Sequence, residues 1–85
     1  MFLHLGVDTV VPLSSIIGIF DIRIIDSDII DNYIKNMRKS KKNAIIDISE
    51  NDAKSFIITE KSIYFSAISS PTLEKRAKQK IPGGQ

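Results

Sequence analysis

Two β-rich runs, Ser55 to Thr59 and Ile63 to Ala67, are separated by only three polar residues, Glu60, Lys61 and Ser62. β-Branched and aromatic side chains favour a pleated strand. So short a polar link returns the chain on itself, which makes the pair an antiparallel hairpin. Ser69-Ser70-Pro71 follows at once. This is a helix start, with Ser70 as N-cap and Pro71 at the first helical position, where its missing N–H leaves nothing unpaired. Leu73 and Ala77, at i and i+4, give that helix one thin apolar stripe, so it docks weakly or waits for a partner.

The N-terminal part reads as strands before a helix. Phe2 to Leu5 and Thr9 to Val11 are short strands joined by Gly6, Val7 and Asp8, with Gly6 supplying a positive φ. Pro12 ends the second strand or marks it as an edge. After a turn at Leu13, Ser14 and Ser15, a third strand spans Ile16 to Ile22 and is apolar on both faces at Ile16, Ile17, Ile19 and Phe20. Gly18 inside it implies close approach of another group. Asp26 or Ser27 caps a helix over about Asp28 to Lys39, and Ile29, Ile30, Tyr33, Ile34 and Met37 form its single apolar stripe. Ala44 to Ile48 is a fourth strand, Ser49 to Ala53 a polar loop, and Lys54 to Thr59 returns as the fifth strand of a hairpin. The expected fold class is α+β: a small, mostly antiparallel sheet of five to six strands, one main amphipathic helix and a short C-terminal helix. Residues 1–80 make a single domain and 81–85 a flexible tail.

Eighty-five residues leave little core. A chain of this size buries only ~60–65% of the surface its unfolded form exposes, so disulfides, metals or a partner chain usually assist. There is no Cys and only one His, which removes disulfides and makes a zinc site improbable. The isoleucine-rich strands either fill one small core or pack copy against copy, and self-association is the device that remains. The longest apolar run, Ile16 to Phe20 interrupted by nothing charged, is far short of the ~20 residues of a membrane span. With no basic leader or cleavage site at the N-terminus, the expected location is the cytoplasm, away from membranes.

No catalytic constellation is present. His4 lacks a positioned partner, and the pairs Ser14-Ser15 and Ser69-Ser70 are explained by turns and caps rather than a nucleophile elbow. The chain is expected to be non-enzymatic, with no cofactor or metal. Cations gather at Lys35, Arg38, Lys39, Lys41 and Lys42 and again at Lys75, Arg76, Lys78 and Lys80. The first cluster, opposite Asp26, Asp28 and Asp31, matches the helix macrodipole; it equally suits phosphate contact. The second is an ordinary solvated helix face unless copies repeat it around an assembly.

The segments HLG (His4 to Gly6), IIGIFD (Ile16 to Asp21), KSFIIT (Lys54 to Thr59) with IYFS (Ile63 to Ser66), and SSPTLEKRA (Ser69 to Ala77) resemble the bacterial extracellular matrix regulatory protein family, on its RemB branch. That resemblance implies a cytoplasmic regulator of biofilm matrix genes. From the related RemA branch it implies a ring-shaped homo-oligomer that binds DNA through many weak basic contacts, and it leaves another regulator protein open as a further partner. The RemA branch carries arginines where this chain has Ser14-Ser15 and the acidic loop Ser49 to Ala53. DNA contact is therefore assigned to Arg38, Lys39, Lys41, Lys42, Lys54, Lys75 and Arg76, with a protein-interaction module lacking DNA as the alternative.

Overall fold

A computed structural model describes residues 1–39 and 44–79, the side chain of Arg38 excepted. The chain runs β1 (Phe2–Gly6), β2 (Thr9–Pro12), β3 (Ile16–Asp21), α1 (Asp28–Lys39), β4 (Ala44–Asp47), β5 (Ser55–Thr59), β6 (Ser62–Ser66) and α2 (Ser70–Gln79). One-turn 3-10 segments lie at Leu13–Ser15 and Ile22–Ile24. The fold is α+β, but the six strands do not share one sheet. β1 and β2 form a two-stranded antiparallel ribbon, and the other four are ordered β3-β5-β6-β4.

Every residue of β5 is buried, because it is central and covered on both faces. Its side chains alternate: Phe56 and Ile58 join Ile34, Met37 and Ile63 under α1, while Ile57 joins Leu3, Leu5, Val11 and Leu73 under the β1–β2 ribbon and α2. The molecule thus has three layers and two thin cores. Buried hydroxyls tie the layers together. Ser66 Oγ donates to the Leu5 carbonyl (2.6 Å) and Ser55 Oγ to that of Ile68 (2.7 Å). A buried hydroxyl left unpaired would cost about 1–3 kcal/mol. Among the described residues no buried side-chain polar atom lacks a partner.

The hairpin of β5 and β6 is present as expected. The expected hairpin of the fourth and fifth strands is not: β6 inserts between them, and β4 pairs with β6 in parallel. β6 offers Ile63 and Phe65 to one core and Tyr64 to the other, so burial on both faces favours an interior place. β4 begins with exposed Ala44 and ends with exposed Asp47, which suits an edge.

β3 is the opposite edge. Its register slips between Ile16 and Gly18, so Ile17 is the extra residue of a bulge and is 62% exposed rather than covered. Past the bulge, Phe20 stacks on Phe56 with ring centroids 5.2 Å apart. A Cβ on Gly18 would lie 2.5 Å from the Phe20 ring, which explains the glycine. The strand stops at Asp21, whose carboxylate accepts from Arg23 N (2.8 Å) and caps the next turn.

α1 starts where expected, with Ser27 as its cap: Asp31 N donates to the Ser27 carbonyl at 2.8 Å. Its apolar stripe divides, however. Ile30, Ile34 and Met37 face the sheet, whereas Ile29 and Tyr33 are exposed. In α2 the first helical bond runs from Leu73 N to the Ser69 carbonyl (3.1 Å), so Ser69 rather than Ser70 is the cap. Leu73 is fully buried and Ala77 packs beside the same core, so α2 is docked. No described helix is long and apolar enough to cross a membrane.

Gly18→Val forces the Phe20 ring off Phe56 and should lower stability by about 1–3 kcal/mol. A urea midpoint matching that of the original chain would show that the ring does not need the glycine.

Candidate nucleic-acid interface

Each strand reverses the direction of the strand before it, apart from β3 and β4, which run the same way with α1 between them, so connections alternate between two ends of the sheet. Residues 7–8, 22–27, 49–54 and 67–69 lie at one end, where Ser66 bonds Leu5 and Ile22 N bonds the Lys54 carbonyl. Residues 13–15 and 60–61 lie at the other, where Glu60 N bonds the Ser15 carbonyl and Ala44 N that of Lys61.

Charge is sorted between these ends. The first holds Asp8, Asp21, Asp26, Asp28, Asp47, Glu50 and Asp52, with Arg23 and Lys54 as its cations. Arg23 is occupied: Nε and Nη2 donate to the two Asp21 oxygens at 3.0 and 2.9 Å. The hydrogen bonds and charge of Arg23 hold the Asp21 carboxyl below its usual range. The second end holds Lys61 in the β5–β6 turn, with Lys39 at the close of α1, against the single carboxylate Glu60 among the described residues; Lys78 lies in the last turn of α2. α1 and α2 cover opposite faces of the sheet, so Lys39 and Lys78 belong to different outer layers.

The acidic loop is held in a defined shape. Asp52 N donates to the Ser49 carbonyl (3.1 Å), and Glu50 and Asn51 both take positive φ, 54° and 68°. These are the signs of a type I′ turn, which Asn-Gly fills with less strain than Glu-Asn. Asp47 anchors it by accepting from Ser49 N at 2.9 Å and from Ser49 Oγ. Those bonds, the side-chain one foremost, lower the Asp47 pKa.

The expected contact residues are therefore not gathered in one place on a single copy. Lys39 lies at the basic end, and Lys75 and Arg76 lie in the second half of α2. Lys54 is exposed at the opposite end among the carboxylates. Lys41 and Lys42 lie outside the described residues, as do Lys80 and the expected tail, and so does the Arg38 side chain. Lys61, to which the sequence pattern assigns only a place in a turn, belongs with Lys39. The alternation of connections was the signal that could have placed it.

His4 lies on the exposed side of β1 opposite Val10. Among the described residues no group of three or more His, Cys, Asp or Glu is placed to hold a metal.

The family model of RemA-like proteins, described as extracellular matrix regulatory protein A-like, matches residues 2–77. Over 77 residues the chain is 38% identical to Extracellular matrix regulatory protein B of Bacillus subtilis (strain 168), covering 91% of this chain and 90% of that protein.

Asp47 is depressed in the folded state, so its contribution to stability is full above the ordinary carboxylate value of 3.8 and is lost as pH falls through the lower folded value. Urea midpoints of the original chain and Asp47→Ala should accordingly differ at pH 6 and converge toward pH 2. A constant difference would place the effect elsewhere than the carboxylate.

Proposed function

The chain belongs to the RemA-like family of extracellular matrix regulatory proteins, and from that membership and its charge pattern we propose a non-enzymatic regulator that self-associates and contacts the DNA backbone through its basic end. The observation that carries this reading is the sorting of charge along the strands. A net charge of +2 is too small to attract a polyanion by itself. Lys39 and Lys61 at one end, together with Lys75, Arg76 and Lys78 on α2, offer local positive surface that a modest total hides. Assembly multiplies it, since each added copy contributes the same cations.

Lysine-rich contact of this kind neutralises phosphates and reads little sequence. Promoter choice then depends on the repeat of contacts across copies or on a partner. The acidic end is turned away from the duplex, because Glu50 and Asp52 would repel phosphate. This differs from contact through the loop after β4, where the RemA branch has arginines. The second reading, an interaction module without DNA, draws on that same acidic end, which suits a basic protein surface.

DNA affinity should fall steeply with salt, with log K linear in log salt. Lys39→Glu combined with Lys61→Glu should reduce the magnitude of that slope by roughly 0.9 for each phosphate that the variant no longer neutralises. Glu50→Arg with Asp52→Arg should leave the slope unchanged. A gel-shift series in which the loop variant, and not the lysine variant, alters binding would move the DNA surface to the other end; no binding at low salt would favour the module without DNA.

A further inference from the structure

An open cavity of about 390 Å³ lies between β2 and the β5–β6 turn. Val10, Val11 and Pro12 line one side, Ser62 and Tyr64 line the other, and the exposed Glu60 and Lys61 add opposite charges. Its volume is near the lower limit of small-molecule sites, roughly 300–1,000 Å³. Hydrogen bonds of the protein itself set its frame. Thr59 Oγ1 donates to the Ser62 carbonyl and accepts from Ser62 N, both at 3.0 Å, which fixes the turn. Glu60 N donates to the Ser15 carbonyl (3.1 Å) and Ser15 Oγ to the Pro12 carbonyl (2.7 Å), which ties the turn to the end of β2. A ligand here meets preformed walls, so little ordering cost is added on binding.

The hydroxyls around the cavity are of two kinds. Those of Ser15 and Thr59 are spent on the frame. Among the described residues Ser62 Oγ and Tyr64 Oη make no hydrogen bond, and no buried side-chain polar atom lacks a partner, so both reach solvent. Ser62 and Tyr64 are alternate residues of β6 and therefore share one face of the strand. Among the described residues neither Glu60 nor Lys61 has an ion-pair partner.

We propose that this cavity binds a small organic monoanion, with an aromatic body against Val10, Val11 and Pro12 and a carboxylate that accepts from Lys61 Nζ and the hydroxyls of Ser62 and Tyr64. An apolar wall faced by a few convergent polar groups is the pattern of a small-molecule site. The two hydroxyls can donate or accept, so the charged pair decides the sign. Lys39 lies at the same end and reinforces Lys61, whereas Glu60 is the single carboxylate there among the described residues. The balance favours an anion. A phosphate backbone has no apolar body to fill such a space, so this ligand is distinct from DNA. Lys61 is common to both contacts, but occupancy of the cavity requires no DNA, and the protein alone provides the test.

Amide NMR spectra of the full chain are titrated with naphthoate, naphthylmethanol and naphthylmethylamine, which join one ring system to an anionic, a neutral and a cationic head. The expected result is saturable shifts centred on Val10, Val11, Ser62 and Tyr64, with naphthoate bound several-fold more tightly than the alcohol and the amine weakest. Lys61→Gln and Tyr64→Phe should each weaken naphthoate several-fold, and Glu60→Gln should strengthen it. These changes alter exposed charges or a single hydroxyl, and the unshifted amides report that each variant is folded. Equal affinity for the three heads, shifts centred on the exposed Phe2 or Ile29 instead, or no saturation at millimolar probe overturns the assignment. So does weakening of naphthoate by Lys61→Gln and Glu60→Gln alike, since an anion in the cavity must respond to the two charges with opposite signs.

Discussion

The structure depends on covering β5 from both sides. A strand buried on both faces needs two apolar layers, and this chain is barely long enough to supply them. α1 provides one with Ile30, Ile34 and Met37; the β1–β2 ribbon and α2 provide the other with Leu3, Leu5, Val11 and Leu73. Each core is a single side chain deep. Hydroxyls of Ser55 and Ser66 add cross-links, to Ile68 in the link before α2 and to Leu5 of the ribbon. The thinness of each core accounts for Gly18, since Phe20 can cover Phe56 from an edge strand only if no side chain stands beneath its ring.

Covering one strand so economically leaves surface unused, and the unused surface is ordered. Charge varies along the strand direction, acidic at the end with the 49–54 loop and basic at the end with the β5–β6 turn. Exposed apolar side chains lie across it, on the ribbon face and on α1. These axes are perpendicular, so the exposed apolar side chains and the charged ends are built from different residues. Asp21 adds to the separation by engaging Arg23, one of two cations at the acidic end.

Much of this was legible in the residues. The limits of α1 follow from Ser27 and the 3.6-residue period, and the β5–β6 hairpin follows from its short polar link. The sorting of charge was not: the residues group Lys54 with Lys39, and only the strand pairing places them at opposite ends. Pairing order was not legible either. β4 and β5 are joined by a loop that looks like a hairpin, and local sequence carries no sign that β6 lies between them. The choice is made by burial: β6 has apolar side chains for both cores, and β4 has Asp47 at its end. Likewise the apolar period of α1 shows which residues share a face, but not that the sheet is too narrow to cover Ile29 and Tyr33.

By itself, then, the sequence determined the elements and, to within a residue, where the two helices start, because these depend on neighbours a few residues away. Only the tertiary structure decided that the six strands divide into a ribbon and a sheet, that β4 takes an edge, and which apolar side chains stay in water. Those outcomes come from competition among distant segments for the limited area on the two faces of β5, and local pattern does not encode that competition.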